Sequence, residues 1–173
     1  MKEKLYEIRS EFHTFYTDRC GNGGTGLSVY YPKEKTPRSQ IAVIAIHPSG
    51  YMGFSPMIEM AKRGFIAAGV MQRQRHVDGW LREYKTCIDF VKKIPGVKKV
   101  VLMGHSQGGC TTSCYQYIAE NGIARFKNTD RIIPFPDVEP LTPADGLILT
   151  DANYGTASGS RRAHPEGRLC PDS

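Results

Sequence analysis

Residues 103–109 read MGHSQGG, and the side chain in them with chemistry to offer is the hydroxyl of Ser106. Gly104, Ser106 and Gly108 make the pattern G-x-S-x-G, preceded by the apolar run KKVVLM and followed by CTTSCYQYIAE, which can wind as a helix. Small residues two places before and after the serine let a strand turn sharply into a helix, so that the hydroxyl projects from the carboxyl end of a sheet. The same turn sets backbone amides at a helix amino terminus, where partial positive charge can stabilise an oxyanion. The chemistry implied is nucleophilic attack on an acyl carbon, with the bland alternative that Ser106 only caps its helix. A hydroxyl is a poor nucleophile near neutral pH, so a base, and an acid to orient that base, are also required.

The elements that must carry this turn follow from hydrophobic patterning. YEIRSEFHTFYTDR alternates as a half-buried strand does, CGNGGTG is a turn, and LSVYYP is the second arm of a hairpin. Ile41–Ile46, FIAAGVM, KKVVLM and Gly146–Thr150 are apolar without alternation, the mark of strands covered on both faces. Between them, Ser55-Pro56 predicts a helix start with serine as the cap and Gly64 as its end. In Val77–Ile94, Leu81, Tyr84, Ile88 and Val91 share one face, while Arg82, Glu83, Lys85, Asp89 and Lys92 take the other. Cys110, Cys114 and Ile118 are expected to line the face of the helix after Ser106, the cysteines as small buried side chains. This alternation predicts an α/β fold: a doubly wound, mostly parallel sheet with helices on both faces, entered through an antiparallel hairpin. The proline-rich RIIPFPDVEPLTP reads as an irregular connection that could form a flap over a site.

Composition bounds the class. A chain of 173 residues, 40% hydrophobic and 23% charged, suits one globular domain, assigned to residues 1–154. Residues 155–173, with one leucine and no aromatic residue, read as a tail. No window approaches the roughly 18 apolar residues of a membrane span. The five cysteines lack the C-x-x-C spacing of metal or redox sites, so neither a metal nor a cofactor is implied and a cytoplasmic location is expected. The net charge of +6 comes from scattered lysines and arginines without interleaved aromatics, which argues against nucleic acid as a partner.

With strand before and helix after, GHSQGG resembles the nucleophile elbow of the α/β-hydrolase superfamily, and the order of elements agrees with that family from about residue 6 to residue 151. The resemblance implies an esterase-like or lipase-like serine hydrolase. It implies an oxyanion hole built from the Gln107 amide and the amide of Ser49 or Tyr51, in the loop HPSGY that stands where the family keeps its second donor. His47 is expected to orient that loop and His105 to be structural. The family orders its triad serine, acid, histidine, which makes Asp151 the candidate acid and His164, the only histidine beyond it, the candidate base; His13 and His76 are alternatives. The family's acid usually follows a seventh strand and its histidine an eighth, so the pattern here looks incomplete at the C-terminus, as a chain truncated after its sixth strand would. Two functional readings follow: a hydrolase of esters, thioesters or amides acting on a small acyl substrate, or a catalytically impaired fragment that binds a ligand or self-associates through an exposed sheet edge. Tyr51, Met52, Phe54, Trp80 and the surroundings of Phe135 are candidate walls of an acyl pocket.

Overall fold

A computed structural model of the chain describes residues 3–16, 24–50, 53–73, 76–127 and 135–153. In chain order it contains β1 (Ile8–Tyr16), β2 (Gly24–Pro32), a 3-10 turn (Pro37–Gln40), β3 (Ile41–Ile46), α1 (Ser55–Lys62) and β4 (Ile66–Met71). These are followed by α2 (Val77–Lys92), β5 (Lys99–His105), α3 (Gln107–Asn121), a second 3-10 turn (Ala124–Phe126) and β6 (Gly146–Thr150). The strands form one sheet in the order β1-β2-β4-β3-β5-β6. β1 pairs with β2, and β2 with β4, antiparallel; the pairs β4–β3, β3–β5 and β5–β6 are parallel. The expected doubly wound sheet entered through a hairpin is therefore present.

The apolar runs read as they do because both faces of the sheet are covered. Along β3, Ala42, Ile44 and Ile46 join the core under α2 and α3, while Val43 and Ala45 join Met57 and Ala61 of α1 on the opposite face. On α2, Leu81, Tyr84, Ile88 and Val91 are completely buried, as their spacing predicts. Truncating such a side chain, Leu81→Ala for example, costs about 2–5 kcal/mol.

Several local expectations are corrected. Ser55 does not cap α1: the N-cap is Phe54, without a side-chain hydrogen bond, and Pro56 lies inside the first turn, where amides lack helical partners anyway. The polar stretch before β3 holds an ordered 3-10 turn, capped where Thr36 Oγ1 accepts the Ser39 amide at 3.0 Å. The buried face of α3 is formed by Thr112, Tyr115, Gln116 and Ile118, with Cys110 and Cys114 only half-buried beside it. Glu83, grouped by spacing with the solvent face of α2, is fully buried.

Side chains of α2, α3 and β5 fix the approach to β6. The Gln116 amide donates to the Ala144 carbonyl and accepts the Ala144 N–H, both at 3.0 Å, while the Tyr115 hydroxyl donates to the Thr142 carbonyl at 2.8 Å. Asp145 accepts the Val100 amide at 2.8 Å and pairs with Lys99 at 2.9 Å. These bonds hold residues 141–145, which have no regular structure, so that β6 enters in register with β5. Among the described residues β1 and β6 are the two edge strands, and on β6 Leu147 and Leu149 are 37% and 51% exposed. Among those residues no helix is long and apolar enough to cross a membrane. The assigned tail, 155–173, lies outside the described residues.

Candidate active site

Ser106 is the single residue between β5 and α3, half-buried, with φ 52° and ψ −123°. A Cβ disfavours that conformation, and the surroundings enforce it. The Ser106 amide donates to the Thr150 carbonyl at 3.1 Å, prolonging the β5–β6 ladder, and its carbonyl accepts the amides of Gly109 at 3.0 Å and Asn153 at 3.2 Å. The glycines leave no room for side chains. A Cβ on Gly104 would lie 2.4 Å from Thr112 Oγ1, and one on Gly108 only 2.0 Å from the Ile46 carbonyl oxygen. One on Gly109 would stand 2.3 Å from the Ala152 Cβ. The serine turn is thus pressed simultaneously against its own strand, the end of β3 and the segment after β6.

Contact of Gly108 with Ile46 and His47 brings the start of α3 against the loop that follows β3. Gln107, exposed, is the first residue of α3, where a backbone amide has no intrahelical acceptor. In the facing loop, the Ser49 amide donates to His47 Nδ1 at 3.0 Å and the Gly50 amide to the His47 carbonyl at 2.9 Å. Nδ1 is therefore an acceptor, and a neutral His47 carries its proton on Nε2. Burial, aided by His105 with its ring 5.9 Å away, holds His47 below the ordinary imidazole value of 6.5. Phe54 also packs near His105, the ring centroids 6.1 Å apart. Tyr51 and Met52 lie outside the described residues.

Asp151 follows β6 as Ser106 follows β5; since His105 and Thr150 are register partners, the two residues leave neighbouring strands at the same sheet edge. Asp151 is exposed and has φ 48°. His164 lies outside the described residues. His13 is on β1, four strands from β5, which is roughly 19 Å across the sheet, and packs on Phe90 with ring centroids 4.4 Å apart. That placement removes it as a base for Ser106. His76 is the exposed N-cap of α2. Trp80 is core, its ring tilted against Tyr84 at 5.5 Å, and Phe135 packs against Phe126 at 5.0 Å. Burial pushes the Cys114 thiol up to about 11, which keeps it protonated and unreactive at neutral pH. Sequence reasoning passed over Gly109, whose adjacency to Gly108 was its signal, and the bonding of polar residues of α2 to residues 72–73 just past β4, which left none.

A mixed sheet, parallel from β4 to β6, with a strained serine at the strand-to-helix turn beside its central strands and helices on both faces, has the fold of the α/β-hydrolases. No family model matches the chain, and no curated protein matches it in sequence. Among solved structures, the chain is similar to esterase B from Lactobacillus rhamnosis, solved with a tributyrin phosphonate inhibitor, at 17% identity and TM-score 0.57, over 85% of this chain and 50% of that one. A bacterial heroin esterase aligns at 14% identity and TM-score 0.59, over 84% of this chain and 45% of the other. Brefeldin A esterase, a bacterial homologue of human hormone-sensitive lipase, aligns at 14% identity and TM-score 0.55, over 69% and 37%. The chain spans about half the length, or less, of these structures.

Proposed function

We propose that the chain acts as a serine hydrolase that cleaves an ester, thioester or amide through an acyl-enzyme on Ser106. The observation that carries this reading is the backbone at Ser106: a non-glycine residue held at φ 52° by three close-packed glycines at the carboxyl end of an interior strand in the parallel part of the sheet. Strain of that kind persists where the surroundings over-determine it, and here its effect is to present one hydroxyl beside a helix amino terminus. That the structures similar in fold are esterases favours an ester as the bond attacked.

In the reaction, Ser106 Oγ adds to the acyl carbon while a base takes its proton, and the carbonyl oxygen becomes an oxyanion. The Gln107 amide is one donor to that oxyanion. The Ser49 amide already serves His47 Nδ1, which favours Tyr51 as the second donor; with Ser49 in that role, it would have to exchange one acceptor for the other. Collapse of the intermediate expels the leaving group with the proton, and water then releases the acyl group by the same steps in reverse. Asp151 is the proposed acid, on its place at the same sheet edge, and His164 the proposed base, on chain order. The second reading, an impaired binding fragment that self-associates, is favoured by the exposed leucines of β6.

A fluorophosphonate probe separates the two. The hydrolase reading expects labelling of the native chain at Ser106 that is abolished in Ser106→Ala; native protein that takes no label, while remaining cooperatively folded, supports the binding fragment.

A further inference from the structure

Behind the serine turn lies a group of polar side chains that the chemistry proposed above does not use. Tyr84 on α2 is completely buried, yet its hydroxyl donates to Gln72 Oε1 at 2.5 Å, just past the end of β4, and lies 3.1 Å from Thr111 Oγ1 on α3. Thr111 Oγ1 in turn lies 3.1 Å from the Gly108 carbonyl. The neighbouring Glu83, also fully buried, accepts the Arg73 amide on both carboxylate oxygens, at 3.1 and 3.2 Å. Two consecutive residues of α2 therefore clamp residues 72–73.

That clamp bears on both proposed sources of oxyanion donors. Gly50, in the loop after β3, stands against Met71: a Cβ placed there would be 3.7 Å from the Met71 Cα. Thr111, whose single hydroxyl proton serves either the Tyr84 phenol oxygen or the Gly108 carbonyl, stands one helical turn from Gly108, which is one residue from Gln107. We infer that Tyr84 is a positioning residue whose phenol ties the end of β4 to the first turn of α3, and so holds the 47–50 loop and the Gln107 amide in fixed relation. Burying a hydroxyl among apolar neighbours is unfavourable unless it is bonded, and a phenylalanine would fill the same space. Burial also drives the phenol's pKa far up, so it is protonated at neutral pH. The inference rests on the reading of Ser106 as nucleophile only for its catalytic consequence.

The test compares Tyr84→Phe with Tyr115→Phe in the full chain. Both remove one buried hydroxyl, but that of Tyr115 donates to the Thr142 carbonyl, away from the serine turn. Amide hydrogen exchange and fluorophosphonate labelling rate are measured on both, with urea unfolding to match their stabilities. Tyr84→Phe is expected to accelerate exchange at residues 71–73 and 107–111 together, and to slow labelling about tenfold, since small displacements of reacting groups have effects of that order. Tyr115→Phe is expected to accelerate exchange only around 142–144 and leave labelling within about twofold. Equal effects of the two variants on labelling, or Tyr84→Phe exchange confined to α2, would overturn the inference. If the wild-type chain takes no label, the nucleophile reading fails, and the exchange pattern still decides whether Tyr84 couples the two elements.

Discussion

Two non-glycine residues among those described have positive φ, Ser106 at 52° and Asp151 at 48°, and they stand side by side where β5 and β6 end. Their surroundings differ. Ser106 is braced by three glycines, a strand-like bond to Thr150 and the first turn of α3, whereas Asp151 is an exposed residue at the end of an edge strand. Their conformations also differ in cost. Ser106, with ψ −123°, lies outside the left-handed helical basin in a region a Cβ disfavours strongly, while aspartate tolerates positive φ better than most residues. The difference teaches that strain persists where packing contains it: the serine turn is a built feature of the fold, and the strand end beside it is a placement.

The largest effect expected on this contrast comes from removing the containment. Gly108→Ala puts a Cβ 2.0 Å from the Ile46 carbonyl oxygen, so the backbones of β3 and α3 must separate. A loss of at least about 3 kcal/mol in urea unfolding is expected; a cost under about 1 kcal/mol would show that the turn is loosely held. Next in size is the strain itself. Ser106→Gly should stabilise the fold by about 1–2 kcal/mol while abolishing probe labelling, and Asp151→Gly should gain less than about 1 kcal/mol. Equal gains at both positions would erase the distinction drawn between them.

The smallest effect is a pH dependence. His47 is held below 6.5 in the folded chain, so the unfolded chain binds its proton more readily. Stability from this group is therefore complete above the unfolded value and declines as pH falls below it, until the folded imidazole also takes a proton. Protonation places a hydrogen on Nδ1, which can then no longer accept the Ser49 amide, so labelling should decline over the same range if that loop matters. In His47→Gln the decline of stability from about pH 7 to about pH 5 should be shallower than in the wild type; identical slopes would contradict the assignment.

Much of the fold was legible because it is written in local patterns. The unbroken apolar runs of β3 and β4 reflect burial on both faces, and Leu81, Tyr84, Ile88 and Val91 announce the inner face of α2. Ser106 was legible for the same reason, since its glycines are neighbours in sequence. What pattern could not show depends on long-range partners. Glu83 looks like a solvent residue by charge, and its burial goes with the Arg73 amide it holds just past β4. Cys110 and Cys114 have the spacing of a buried face, but Gly108 and Gly109, pressed onto β3 and Ala152, set the rotation of α3 and bring Thr112 and Tyr115 inward instead. Trp80 looked available to a substrate because aromatic residues serve both pockets and cores, and it is core. The Ser49 amide could be placed near the serine turn by position in the chain, whereas its bond to His47 is a matter of loop geometry.

The central claim, that Ser106 is a presented nucleophile, is tested most directly by incubating the native chain with a fluorophosphonate and locating the adduct by peptide mass spectrometry. The account predicts a single adduct on Ser106 that forms in the folded protein and is lost both in Ser106→Ala and on unfolding in urea. Absence of an adduct in a cooperatively folded chain, or an adduct on another residue that persists in Ser106→Ala, would contradict it.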